Sequence, residues 1–229
     1  MNKGDKMLKD NRIRVIIGHY GSGKTEFSIN YAIKLAKEEK NVALADLDVV
    51  NPYFRSREKH GLLKEHGVKV VSSYVKGSGS DLPAVSGDVL GPLQDKSCNV
   101  VLDVGGDSMG ARTLGRYKDY FIEGEYDMFC VVNGNRIETQ TLEGVINHIT
   151  SIEGTTRARV TGLINNTHLL RATTVDQILK GQELCRRVSQ ATKIPIKYTA
   201  VVESLIHQLP ENIEGTIMPI KMIMREAWM

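Results

Sequence analysis

Gly18-His19-Tyr20-Gly21-Ser22-Gly23-Lys24-Thr25 is the stretch from which this chain can be read. It fits G-x-x-x-x-G-K-[ST] in full, the pattern of a phosphate-binding P-loop. The glycines let successive backbone N–H groups turn toward one point and form an anion nest. Lys24 would reach the β- and γ-phosphates of a nucleoside triphosphate, and the Thr25 hydroxyl would ligate Mg²⁺. The positive end of the following helix adds to the attraction. Candidate phosphate contacts therefore run from Gly18 through Glu26.

The flanks supply the context that the motif needs. Arg12–Ile17 is a short apolar strand entering the loop. Behind it Phe27, Tyr31 and Leu35 recur every four residues. Ile29, Ile33 and Ala36 widen that face into an amphipathic helix over Lys24–Glu39. Further strands are expected at Val42–Asp46, Val68–Ser72, Val100–Val104, Met128–Val132, Val160–Asn165 and Ile196–Val201. Further helices are expected at Phe54–Lys64, Thr139–Ile149 and Val175–Thr192, with weaker ones near 82–94 and 110–122. Such alternation predicts an α/β fold, a mainly parallel sheet with helices on both faces.

With 229 residues, 41% hydrophobic and 25% charged, the chain suits one large domain over 12–229. Residues 1–11 are polar and charged and read as a disordered lead-in. Gly77-Ser78-Gly79-Ser80 reads as a loop. A net charge of +3 is too weak to point to nucleic acid. No apolar run reaches membrane-spanning length. The three cysteines, Cys98, Cys130 and Cys185, are scattered and contain no Cys-x-x-Cys, which fits a reducing cytoplasm. The six histidines show no zinc spacing.

Two acidic motifs follow the P-loop. Asp46-Leu47-Asp48-Val49-Val50-Asn51-Pro52 places carboxylates at the end of the second strand, where ligands bind in parallel sheets. Of Asp46 and Asp48, one carboxylate would hold Mg²⁺-bound water and the other would orient the attacking water. Cys98-Asn99-Val100-Val101-Leu102-Asp103 is an apolar strand ending in an acid, the Walker B pattern, with Asp103 as a Mg²⁺ ligand. It continues into Val104-Gly105-Gly106-Asp107, a loop whose glycines suit a switch.

This order of motifs resembles the MinD/ParA/CobQ-type P-loop ATPases of the SIMIBI class. Asp103–Asp107 is similar to the second switch of the nitrogenase iron protein. The resemblance covers roughly residues 12–205 and implies a P-loop nucleoside triphosphate hydrolase fold. It implies that Lys24 and Thr25 hold phosphate and Mg²⁺. It implies that Asp48, with Asp46 beside it, positions the attacking water, that Asp103 serves Mg²⁺, and that Asp107 senses the γ-phosphate. An Asn after a late strand contacts adenine in this class, so Asn165 or Asn166 would read the base. Tyr198–Val202 would support the other side of the purine.

Some positions depart from that pattern. The K-G-G-x-G-K-[ST] signature would place Lys and Gly where His19 and Tyr20 stand. A neutral His does not reach across a dimer as Lys does, although a homodimer remains among the expectations. Arg55, Arg57, Arg112 and Arg116 follow the switch motifs and are candidate substitutes. No Cys stands near Gly110, where the iron protein would hold its cluster. Asn165-Asn166-Thr167-His168 lacks the Lys and Asp of a guanine-reading Asn-Lys-x-Asp, which favours ATP. Arg186-Arg187 reads as a complement to a helix dipole. Near the C-terminus Ile220, Ile223, Met224, Ala227 and Trp228 share a helical face. With two cations beside it, that segment reads as core packing, helix or final strand, before membrane binding.

The functional expectation is a cytoplasmic Mg²⁺-dependent ATPase that switches between ATP and ADP states and acts on a protein partner. The alternatives are a synthetase or kinase resembling dethiobiotin synthetase or the ATP half of cobyrinate amidation, a metallocentre-maturation GTPase, and a non-hydrolysing nucleotide sensor.

Overall fold

The computed structural model describes residues 8–48, 59–72, 87–106 and 108–224. Asn51, Pro52, Arg55, Arg57, the Gly77–Ser80 loop, Asp107, Ala227 and Trp228 lie outside the described residues.

Eight strands form one sheet in the order β3-β2-β4-β1-β5-β6-β7-β8. They are β1 Ile13–Gly18, β2 Val42–Leu47, β3 Val68–Ser72, β4 Asn99–Val104, β5 Tyr126–Val132, β6 Gly162–Asn165, β7 Ile196–Val202 and β8 Thr216–Ile220. Every pairing is parallel. The helices are α1 Lys24–Glu38, α2 His60–Glu65, α3 Gly87–Gln94, α4 Ser108–Gly115, α5 Leu142–Thr156 and α6 Val175–Thr192. Both sheet faces are covered, as the near-continuous apolar strands require. Ile13, Val15 and Ile17 face a core built with α3, α4, α5 and α6. Ile16 faces the opposite core, where Phe27, Tyr31 and Leu35 of α1 pack with Leu63 of α2.

Register sets up the site. β1 lies between β4 and β5, so the chain reverses its direction of winding at the central strand. A crevice opens at such a point, at the carboxyl ends of the strands. Ile16 pairs with Asp103, and Asp46 pairs with Asp103 from the other side. The two carboxylates are therefore on neighbouring strands, level with Ile16, two residues before the first glycine of the P-loop.

Three expectations are corrected. Residues 8–11, expected within a disordered lead-in, are packed against the domain. Leu8 is buried, and its N–H donates to Glu38 Oε2 at 2.9 Å. Tyr31 Oη donates to Asp10 Oδ2 at 2.5 Å, and Tyr198 Oη donates to the same oxygen. Asn11 N–H donates to Asp127 Oδ2 at 2.7 Å. Secondly, Ile220 lies at the end of edge strand β8 and not on a helical face, while Ile223 and Met224 after it pack on the core, in keeping with the final-strand alternative. β8 contains Pro219, which an edge strand tolerates because one side needs no ladder donor. Thirdly, α5 starts later and runs longer than expected. Thr141 caps it by accepting from Gly144 N–H at 3.1 Å, and buried Ile152 and Thr156 carry it on.

Candidate nucleotide site

The P-loop after β1 is held in shape by its own bonds. Ser22 N–H donates to His19 O at 3.1 Å, and Phe27 N–H donates to Gly23 O at 3.0 Å to begin α1. Gly21 and Gly23 lie at φ 74° and 84°, left-handed backbone that a side chain would strain. Lys24 is buried, and its ammonium donates to His19 O at 3.2 Å, across the hollow that the loop encloses.

Asp103 and Asp46 are both buried beneath the loop. Ser28 Oγ donates to Asp103 Oδ1 at 3.2 Å. Asp48 N–H donates to Asp46 Oδ1 at 3.1 Å, which turns the Asp48 side chain toward the crevice. Burial, then the Asp46 carboxylate, pushes the Asp103 carboxyl up to about 7, against the pull of Lys24 and the Thr25 hydroxyl. Asp103 Oδ2 is buried without a hydrogen bond. An orphaned carboxylate oxygen beside Thr25 suits a hydrated divalent cation. Among the described residues no set of three or more His, Cys, Asp or Glu side chains forms a metal cage, so nucleotide oxygens would have to complete such a site.

The loop after β4 crosses directly over the P-loop. A Cβ on Gly106 would lie 2.7 Å from Tyr20 N and 2.9 Å from Lys24 Nζ. Gly106 therefore permits the close approach of this loop to the P-loop.

A pocket opens from the P-loop toward the ends of β6, β7 and β8. At its phosphate end lie Tyr20, Gly21, Gly23, Lys24, Thr25 and Asp48. At its far end Leu170, Ala200, Val202, Ile220, Met222 and Met224 make an apolar slot. The two sequence-predicted asparagines separate here. Asn166 borders the pocket, and its Nδ2 donates to Ser22 O at 2.7 Å. Asn165 is fully buried, with Nδ2 donating to Ile178 O and Oδ1 accepting from Thr167 N–H, so its amide is committed to the fold. His19 points away from the phosphate hollow, with Nδ1 3.8 Å from Glu138 Oε2 and its ring edge-on to His148. Burial holds His148 down at about 4, so that ring is neutral at pH 7.

Two site features escaped the sequence reading. Met222 and Met224 wall the slot, on a segment over 221–224 that is tied to α1. Glu26 Oε1 accepts from Ile223 N–H at 2.6 Å and from Met224 N–H at 3.3 Å. Asn30 exchanges a pair of 2.9 Å bonds with the Lys221 backbone. Arg136, from the loop after β5, lies against Gly21. Arg112 and Arg116 are exposed on or just after α4 and do not border the pocket.

A parallel sheet with this loop at its central strand defines a P-loop nucleoside triphosphate hydrolase fold. No protein-family profile matches the chain, and no characterised protein matches it in sequence. Solved structures do. The cell division protein FtsY from Thermotoga maritima is 21% identical with a TM-score of 0.57, over 86% of this chain and 64% of that one. FtsY from Mycoplasma mycoides is 16% identical with a TM-score of 0.58, over 89% and 64%. The signal recognition particle receptor FtsY from Elizabethkingia anophelis, in complex with GDP, is 18% identical with a TM-score of 0.54, over 86% and 59%. The chain thus spans less than two thirds of the length of each, and the likeness is one of fold. Among the described residues no helix is long and apolar enough to cross a membrane.

Proposed function

We propose that this protein is a SIMIBI-type ATPase of the cytoplasm whose Mg²⁺-dependent hydrolysis of ATP switches its affinity for a partner protein. The carrying observation is the meeting of Lys24, Thr25 and Asp48 at the mouth of one apolar slot, with Asp46 and Asp103 buried side by side beneath the loop. Lys24 would leave the His19 carbonyl to bind the β- and γ-phosphates. Thr25 and Asp103 would hold Mg²⁺, which neutralises charge on the phosphates as the bond breaks. Asp48 would orient the attacking water. Gly105 and Gly106 would close on the γ-phosphate and withdraw after its loss.

Adenine suits the far end of the pocket. Among the described residues two acids border the pocket, Glu26 and Asp48; Glu26 already accepts from the Ile223 and Met224 N–H groups and Asp48 lies at the P-loop end, so neither suits the N1 and N2 of guanine. The reading with GTP draws on the fold likeness to a receptor solved with GDP. Tyr20, Ile137 and Leu169 are large exposed hydrophobics on the three loops around the mouth, which suits a protein partner seated over the nucleotide.

Phosphate release tests this reading. It is expected with MgATP, to fall steeply in Asp48→Asn, and to vanish in Lys24→Ala. Faster release from GTP would replace ATP in the account. Release that persists in Lys24→Ala would place the activity elsewhere.

A further inference from the structure

We propose that Arg136 supplies, within the same chain, the second cation of the phosphate site, a role that His19 does not fill. The proposal rests on the reading of Gly18–Thr25 as an ATP site.

Arg136 follows β5 on a loop fixed from several sides. Asn133, fully buried at the end of β5, accepts on Oδ1 from the N–H groups of Asn135 and His168. Its carbonyl accepts from Arg136 N–H at 3.1 Å and from Thr139 Oγ1 at 2.9 Å. Gly134 N–H donates to Thr167 Oγ1 at 3.0 Å. The backbone of Arg136 is therefore set in place before any ligand arrives, which is what a charge acting on a transition state requires.

The side chain is aimed at the P-loop. Arg136 Nε donates to Gly21 O at 2.9 Å. A Cβ on Gly21 would fall 2.9 Å from Arg136 Cζ, so the guanidinium lies flat against the loop. It borders the same pocket as Tyr20, Gly21 and Lys24. Among the described residues its two terminal nitrogens donate to no acceptor. A planar guanidinium with one donor on the loop and its terminal nitrogens unbonded among the described residues suits the forked geometry of phosphate oxygens. Lys24 approaches the phosphates from beneath, and Arg136 would approach from outside. His19 meanwhile is turned to Glu138 and His148.

In the reaction the water oxygen bonds to the γ-phosphorus as the bond to the β–γ bridging oxygen breaks. The bond's electron pair leaves with ADP, and the water proton passes to the Asp48 carboxylate. Charge grows on the bridging and γ-oxygens as this happens. Arg136 would stabilise that charge more than it stabilises bound ATP, so its loss should lower kcat far more than it weakens binding.

Two substitutions separate charge from mere support of the loop. Arg136→Ala removes both. Arg136→Gln keeps an amide donor for Gly21 O and removes the charge. We expect both to lower the rate of ATP hydrolysis by at least ~100-fold, on the scale of other arginines that act on phosphoryl transfer. ATP affinity should change less than about tenfold, and Arg136→Gln should melt as the unsubstituted protein does. Partial rescue of Arg136→Ala by millimolar guanidinium would add support. Normal turnover in Arg136→Gln would make Arg136 a strut for Gly21 and overturn the proposal, as would normal turnover in Arg136→Ala. ATP binding that survives Lys24→Ala is a different failure, because it removes the ATP site on which Arg136 is said to act.

Discussion

Asp103→Asn should make the ligand-free protein more stable while disabling it. In the folded chain the Asp103 carboxyl is pushed from 3.8 to about 7, chiefly by burial and then by Asp46. At 1.36 kcal/mol for each tenfold change, that displacement corresponds to about 4 kcal/mol. The sign follows from proton binding. Between pH 4 and pH 7 the folded state holds the proton and the unfolded state has lost it, so stability falls as pH rises through that window. Above pH 7 both states are ionised and the full cost is present. Asn carries no charge to desolvate and can still accept from Ser28 Oγ. In EDTA and without nucleotide, Asp103→Asn should match the parent near pH 4 and exceed it by about 3–4 kcal/mol at pH 8. For a chain of this size that is roughly 10 °C in Tm. Urea or thermal unfolding at the two pH values reads it directly. Equal stability at pH 8, or a difference that does not grow with pH, would refute the reasoning.

On the proposed function the same carboxyl should make metal binding depend on pH. Mg²⁺ can take Asp103 only after its proton leaves, so Mg²⁺ affinity of the ATP complex should fall about tenfold for each pH unit below 7; titration at pH 6 and pH 7.5 checks it, and equal affinity contradicts it. Glu26→Ala removes the acceptor for Ile223 and Met224 N–H. It should cost about 1–3 kcal/mol in unfolding experiments and weaken ATP binding while sparing inorganic tripolyphosphate, which needs no base slot. Gly106→Ala drives a Cβ to 2.7 Å from the Tyr20 backbone. Hydrolysis should drop roughly 100-fold from the displaced loop, and a normal rate would show that the loop after β4 does not close on the P-loop.

The α/β architecture was legible because its strands are apolar runs and its long helices are strongly periodic. Val68–Ser72 and Val175–Thr192 fall where the sequence places them. β8 was hidden by Pro219, whose tolerance depends on an edge position that only topology reveals. The last turns of α5 are rich in Thr and Gly, and their stability comes from burying Ile152 and Thr156 rather than from propensity. The proximity of Lys24, Thr25, Asp46, Asp48 and Asp103 was legible because the P-loop and the two acidic strand ends fall on adjacent strands, while their roles belong to the proposed function. Asn165 and Asn166 could not be told apart, since adjacent residues on a strand end face opposite ways. Arg136 and the 221–224 wall carry no motif. They reach the pocket from 115 and 198 residues away, as the Arg136–Gly21 and Met224–Glu26 bonds record. A basic residue soon after the strand that pairs with β1 is the nearest thing to a signal for Arg136.

Calorimetric titration of MgATP into the unsubstituted protein and into Lys24→Ala, with GTP as competitor, bears most directly on the whole account. A single site per chain is expected, absent in Lys24→Ala and displaced poorly by GTP. Undiminished binding by Lys24→Ala would contradict the assignment of Gly18–Thr25 as the phosphate site.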